Sequence, residues 1–230
     1  MNKYILFYIL LCSCFFANAQ LIEVVEEVPN TNFQLQYGQM YSYMESKISE
    51  TTTEFTRPDK GYEISVIYER ILSRFFSMQS GMQYQSHNFT LGYDRKSLYD
   101  IDMEKIIIPL IFSYNSDLCK QVNFSLFSGP QVGTLLTSSL SSLSMSNENK
   151  DTTNTVLALN KVDFGIMYGA SVEISLEKFN AVKFIIGGRG SYGLSNISNN
   201  VDIESNQLNI VPNNSTIKTF GGFIGLKFVL

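Results

Sequence analysis

The stretch KTFGGFIGLKFVL, residues 218–230, separates into two rows of unlike character. Phe220, Gly222, Ile224, Leu226 and Phe228 form one row, and Thr219, Gly221, Phe223, Gly225 and Lys227 form the other. That period of two is the one a β-strand imposes on its side chains. A chain ending in such a strand must pair it on both sides or leave an adhesive edge. A closed barrel is the arrangement that removes edges altogether.

Working outward from this strand, the chain offers seven more staves. Residues 33–44 place Phe33, Leu35, Tyr37, Tyr41 and Tyr43 on one face, with Gln34, Gln36, Gly38 and Ser42 opposite. The same alternation predicts strands over 61–72, 75–86, 105–114, 121–134, 159–176 and 181–194. Pro109 removes a ladder donor inside the fourth strand, so a bulge or a locally broken ladder is expected there. The connections between these strands alternate long and short. The long ones include the polar residues 87–104 and the low-complexity LTSSLSSLSMSNENKDTTN of residues 136–154. Outer-membrane barrels have short periplasmic turns and longer extracellular loops, and an even number of strands returns both termini to one side. The expected fold is therefore all-β, an eight-stranded antiparallel transmembrane β-barrel with both termini periplasmic. About ten tilted residues cover an apolar band of roughly 25 Å, and each proposed strand is at least that long.

Residues 1–20, MNKYILFYILLCSCFFANAQ, read as a secretory signal: one positive charge at Lys3, an apolar run, then Ala17-Asn18-Ala19 as a small-residue cleavage pattern. The expected organisation is a signal peptide over 1–19, an N-terminal tether over 20–32 and the barrel domain over 33–230. Removing the signal leaves 16 Lys and Arg against 21 Asp and Glu, which gives no reason to expect nucleic-acid binding. It also leaves Cys119 alone, so no intramolecular disulfide framework or cysteine metal cluster forms, while intermolecular pairing stays open.

With the greasy rows facing lipid, the inward set contains Glu63, Glu69, Asp163 and Glu173 against Lys161, Lys183, Arg189 and Lys227. Unpaired buried charge is expensive, and an eight-stranded barrel has room mainly for side chains. The balanced set therefore predicts a charge network that fills the lumen. A catalytic constellation is missing from the pattern. His87, the only histidine, reads as a solvated residue at a strand end or in a loop, and Ser128-Gly129-Pro130 lacks nucleophile-elbow spacing. The acids Asp100, Asp102 and Glu104 form a wet loop cluster that could attract a cation, yet nothing here calls for a metal or a cofactor. Tyr37, Tyr41, Tyr43, Tyr62, Tyr68, Tyr84, Tyr114, Tyr168 and Phe228 are candidate anchors at the membrane interfaces.

The signal ending ANAQ, KIIIPLIFSY at 105–114, FSLFSGPQVGTLL at 124–136, DFGIMYGASVEI at 163–174 and GGFIGLKFVL at 221–230 resemble the outer-membrane β-barrel family common in Bacteroidetes, described as porin-family or PorT-like. The resemblance implies an eight-stranded barrel in the cell outer membrane without family-wide catalytic residues. The expected role is structural or interactive and non-enzymatic, in contact with outer-membrane lipid and possible envelope protein partners. A small-solute passive channel and an accessory part of the type IX secretion and gliding machinery are the alternatives.

Overall fold

Alternating burial runs through eight strands: β1 (Thr31–Ser46), β2 (Glu54–Ile71), β3 (Phe76–Tyr93), β4 (Ser97–Cys119), β5 (Val122–Ser144), β6 (Val162–Ser175), β7 (Val182–Gly193) and β8 (Ser215–Val229). The computed structural model describes residues 31–46, 54–93, 97–119, 121–144, 160–175, 181–196 and 215–230. The expected signal peptide, and the tether up to residue 30, lie outside the described residues. Each strand pairs antiparallel with its neighbour in sequence, and β8 returns to β1 through a register from Asn32↔Val229 to Ser46↔Ser215. The closing strand thus finds partners on both sides, β7 and β1, and the sheet has no edge where it crosses the apolar band.

The period of two decides which face is which. On β2, Tyr62, Ile64, Val66 and Tyr68 point outward and are 40–51% exposed, while Glu63, Ser65, Ile67 and Glu69 point inward and are almost completely buried. Large apolar side chains are exposed in this way round the whole wall, among them Met82, Phe112, Phe164, Ile186 and Ile224. So wide an apolar surface is at home against hydrocarbon rather than water. Among the described residues no helix is long and apolar enough to cross a membrane.

Aromatic contacts mark the two rims of this band. Near the short turns, Phe33 meets Phe228 at 6.5 Å, and Phe75 and Phe76 lie 6.2 and 5.6 Å from Tyr114. Toward the other end, Tyr41 stacks on Phe220 at 5.5 Å, Tyr62 meets Tyr84 at 5.9 Å, and the Lys218 ammonium sits 4.6 Å over Tyr192. Rings with one apolar body and one polar edge suit such boundaries.

Two expectations need correction. Residues 87–93 and 97–104, read from sequence as a long polar connection, are strand, paired as His87↔Met103, Phe89↔Ile101 and Leu91↔Tyr99. The charges of DRKSLYDIDME hide an inward row, in which His87, Phe89, Ile101 and Met103 are all buried. β5 likewise continues to Ser144, through the stretch read as a low-complexity loop. Strands β4 and β5 each run 23 residues and so stand well beyond the band. Pro109 is buried in β4, and pairing with β3 passes from Ser80↔Leu110 to Gln83↔Ile107 without any shift of register. The ladder is interrupted there, and no bulge forms.

A charge on the outer wall should disturb insertion. Ile224 is 48% exposed in the apolar band, and I224K is expected to destabilise the membrane-inserted barrel by about 2–4 kcal/mol. Urea titration of folded protein in lipid vesicles measures this, and an unchanged midpoint would move Ile224 off the lipid face.

Candidate functional site in the barrel lumen

The inward rows are polar at intervals, and the polar positions fall opposite one another. Near the short turns, Lys227 of β8 lies between two carboxylates: it is ion-paired with Glu69 of β2 and lies 2.6 Å from Glu173 of β6. Lys183 of β7 approaches the other oxygen of Glu173 at 3.6 Å. Glu69 also accepts hydrogen bonds from Asn32 Nδ2 (2.8 Å), Gln34 Nε2 (3.3 Å), Ser77 Oγ (2.7 Å) and Gln79 Nε2 (3.2 Å). Every lone pair of a carboxylate removed from water is thereby used.

Above this layer Ile67, Ile111, Ile185 and Phe223 are packed nearly out of reach of solvent. Phe223 then supports the next polar layer, because the Arg189 guanidinium lies 4.0 Å over its ring. Arg189 Nε is 2.7 Å from Glu63 Oε1, and Glu63 Oε2 accepts from Gln85 Nε2 at 3.2 Å. Gln36 ties the layers together by accepting from both Arg189 Nη2 and Ser65 Oγ. Gly38 explains why a long carboxylate fits: a Cβ on it would stand 2.6 Å from Glu63 Oε1 and 2.9 Å from Glu63 Cγ. Gly133 leaves the corresponding space for Asp163, which is ion-paired with Lys105.

Seven of the eight charges expected in the lumen, Glu63, Glu69, Asp163, Glu173, Lys183, Arg189 and Lys227, form ion pairs with one another or with Lys105. Lys161 does not join them: it precedes β6 and is exposed, and the cation facing Asp163 is Lys105. Sequence reading missed Lys105 because it opens the run KIIIPLIFSY, where it looked like the flank of a strand. The signal was its parity with Ile107, Pro109 and Ile111, all inward. With Lys105 in place of Lys161, four acids still face four bases.

His87 is a second correction. It is 1% exposed, inside the lumen, with Nδ1 2.8 Å from Ser42 Oγ. A serine–histidine contact invites comparison with a hydrolase, but Ser42 is 0% exposed, unlike a nucleophile at the mouth of a cleft. Asp102 and Glu104 lie on the outward row of β4 beyond the band, and Asp100 accepts from Thr90 Oγ1 at 2.7 Å. Burial, together with the neighbouring Asp100 and Asp59, holds the Asp102 carboxyl above the ordinary carboxylate range. Among the described residues no group of three His, Cys, Asp or Glu side chains is placed to hold a metal. Cys119 is the last residue of β4.

Two voids between the described side chains of the lumen are small. A void bordered by Met40, Glu63, Gln85 and Met167, and another bordered by Gln34, Ile67, Glu173 and Phe223, hold about 10 Å³ each, room for a single water at most. A larger groove of about 650 Å³ lies on the outer wall, floored by Gly188, Gly190 and Gly222 between Tyr168, Tyr41 and Phe220.

With this geometry in hand, the comparisons fall into place. A family model described as outer membrane protein beta-barrel domain matches residues 28–199. Among solved structures, the chain is similar to the outer membrane protein OprG from Pseudomonas aeruginosa, with a TM-score of 0.51 and 8% identity over 88% of this chain and 98% of that one. Neisserial surface protein A (TM-score 0.46, 14% identity, 86% and 97% covered) and the attachment invasion locus protein Ail of Yersinia pestis (0.41, 10%, 86% and 99%) also align. At such identities the likeness to OprG is one of fold alone. No curated protein matches the chain in sequence.

Removing one partner of a buried ion pair strands the other. R189Q is expected to destabilise the barrel by about 3–5 kcal/mol, because Glu63 is left charged and buried. R70Q, on the outward row of β2, is expected to change stability by less than about 0.5 kcal/mol. Equal urea midpoints for the two variants in detergent would refute the role given to Arg189.

Proposed function

Since the chain belongs to the outer membrane protein beta-barrel domain family, we propose that it is a non-enzymatic barrel of the outer membrane whose role is structural or interactive. The observation that carries this reading is the lumen itself. Its cross-section is occupied by the Lys227–Glu69–Glu173 layer, the apolar layer around Phe223 and the Arg189–Glu63 layer, and the voids between them measure about 10 Å³. A solute channel needs a continuous wet path past Glu69, Arg189 and Lys227, and these are the groups that bond most densely across the barrel. The parts available to a partner are those beyond the band, above all the long β3, β4 and β5. In this reading the short turns and both termini face the periplasm, as the general arrangement of such barrels supports. The motif resemblance to PorT-like proteins of Bacteroidetes supports a narrower form, an accessory of type IX secretion and gliding. Co-purification with other components of that machinery tests the narrower form.

Two measurements test the proposal. Purified protein in a planar bilayer is expected to give no conductance steps above the lipid background; reproducible single-channel steps would favour the channel. A protease site inserted between residues 145 and 159 is expected to be cut on intact cells, with an epitope ahead of β1 protected until the outer membrane is opened. The reverse pattern would invert the orientation.

A further inference from the structure

His87 is the chain's only histidine, and its two ring nitrogens have different surroundings. Nδ1 is engaged by Ser42 Oγ at 2.8 Å, whereas Nε2 is buried without a hydrogen-bond partner. A buried polar atom left unpaired is unfavourable and calls for an occupant. Its inward-facing neighbours include thioethers beside Phe89 and Ile101. Met103 is the direct cross-strand partner of His87, and both are 1% exposed on the inner face, which puts their Cβ atoms about 5 Å apart. Met40 and Met44 are the inward-facing residues on either side of Ser42 along β1, 3% and 4% exposed. The Ser42–His87 hydrogen bond joins β3 to β1 at the residue between these two methionines.

From this juxtaposition of a lone imidazole Nε2 with Met40 and Met103, the geometry points to a binding site for a soft monovalent cation, Cu(I) or Ag(I). His87 Nε2, the Met103 thioether and the Met40 thioether of β1 are the ligands. Thioether and imidazole donors select such ions, whereas zinc and calcium sites draw on thiolates and carboxylates. No cluster of three His, Cys, Asp or Glu side chains suited to those metals exists among the described residues. Ser42 acts as the positioning residue: in the ion-bound state its Oγ accepts a hydrogen bond from Nδ1–H, the tautomer in which Nε2 offers its lone pair to the ion. Lys105, two residues on from Met103, is the nearest cation along the inward row of β4, and its charge is met by Asp163.

The test uses the folded full-length barrel in chloride-free detergent, titrated with silver nitrate. One Ag(I) per barrel is expected, moving the NMR resonances of the His87 imidazole and the Met103 methyl group. H87Q and M103L are each expected to weaken binding by about tenfold or more, and S42A by roughly tenfold. Each variant should keep the heat-dependent gel migration of a folded barrel. Leucine preserves the volume of Met103, so M103L decides the matter even where H87Q fails to fold. The proposal is overturned by the absence of stoichiometric binding. It is equally overturned if affinity is unchanged in M103L, or if binding disappears only on replacing the outward-facing Met78 and Met82.

Discussion

The interaction on which the structure depends is the placement of Lys227 between Glu69 and Glu173, all three almost completely buried inside the barrel. Three charges withdrawn from solvent are tolerable only when their partners and donors are all in position. Those partners come from different parts of the chain: Asn32 and Gln34 from β1, Ser77 and Gln79 from β3, Lys183 from β7. A one-residue slip of any of these strands would turn its inward row to lipid and leave the carboxylates bare. The network thereby specifies register as well as filling space.

Filling is completed by alternation along the axis. Polar layers built on Lys227 and Arg189 are separated by an apolar layer of Ile67, Ile111, Ile185 and Phe223, and the Ser42–His87 contact lies among Met44, Phe89, Ile101 and Ile217 toward the far end. Such stacking leaves the Glu69–Lys227 and Glu63–Arg189 pairs almost wholly buried, where a lost partner is costly. The same glycine spacing that looks featureless in sequence makes the layers possible, since Gly38 and Gly133 vacate the volumes that Glu63 and Asp163 enter.

Outside, the barrel is uneven. β7 has 12 residues while β4 and β5 have 23 each, so β3, β4 and β5 carry the sheet past the upper aromatic rim. Hydrocarbon sets the minimum length of a stave in such a wall, and β4 and β5 exceed it by the widest margin.

The sequence by itself determined that eight strands form and which way the rows of β1, β2, β3, β6, β7 and β8 face, because side-chain parity in a strand is a local property that any period-two segment displays. It went astray where composition concealed parity. The charges of residues 94–104 disguised the inward row His87, Phe89, Ile101 and Met103, and the apolar run beginning at Lys105 disguised an inward lysine. Only the tertiary structure decided which cation meets which acid, because pairing between β4 and β6 depends on a register set across β5, and no spacing along the chain records it. The same holds for His87: a residue that reads as solvated is buried because it lies on the inward row of β3, where Ser42 of β1 meets it across β2.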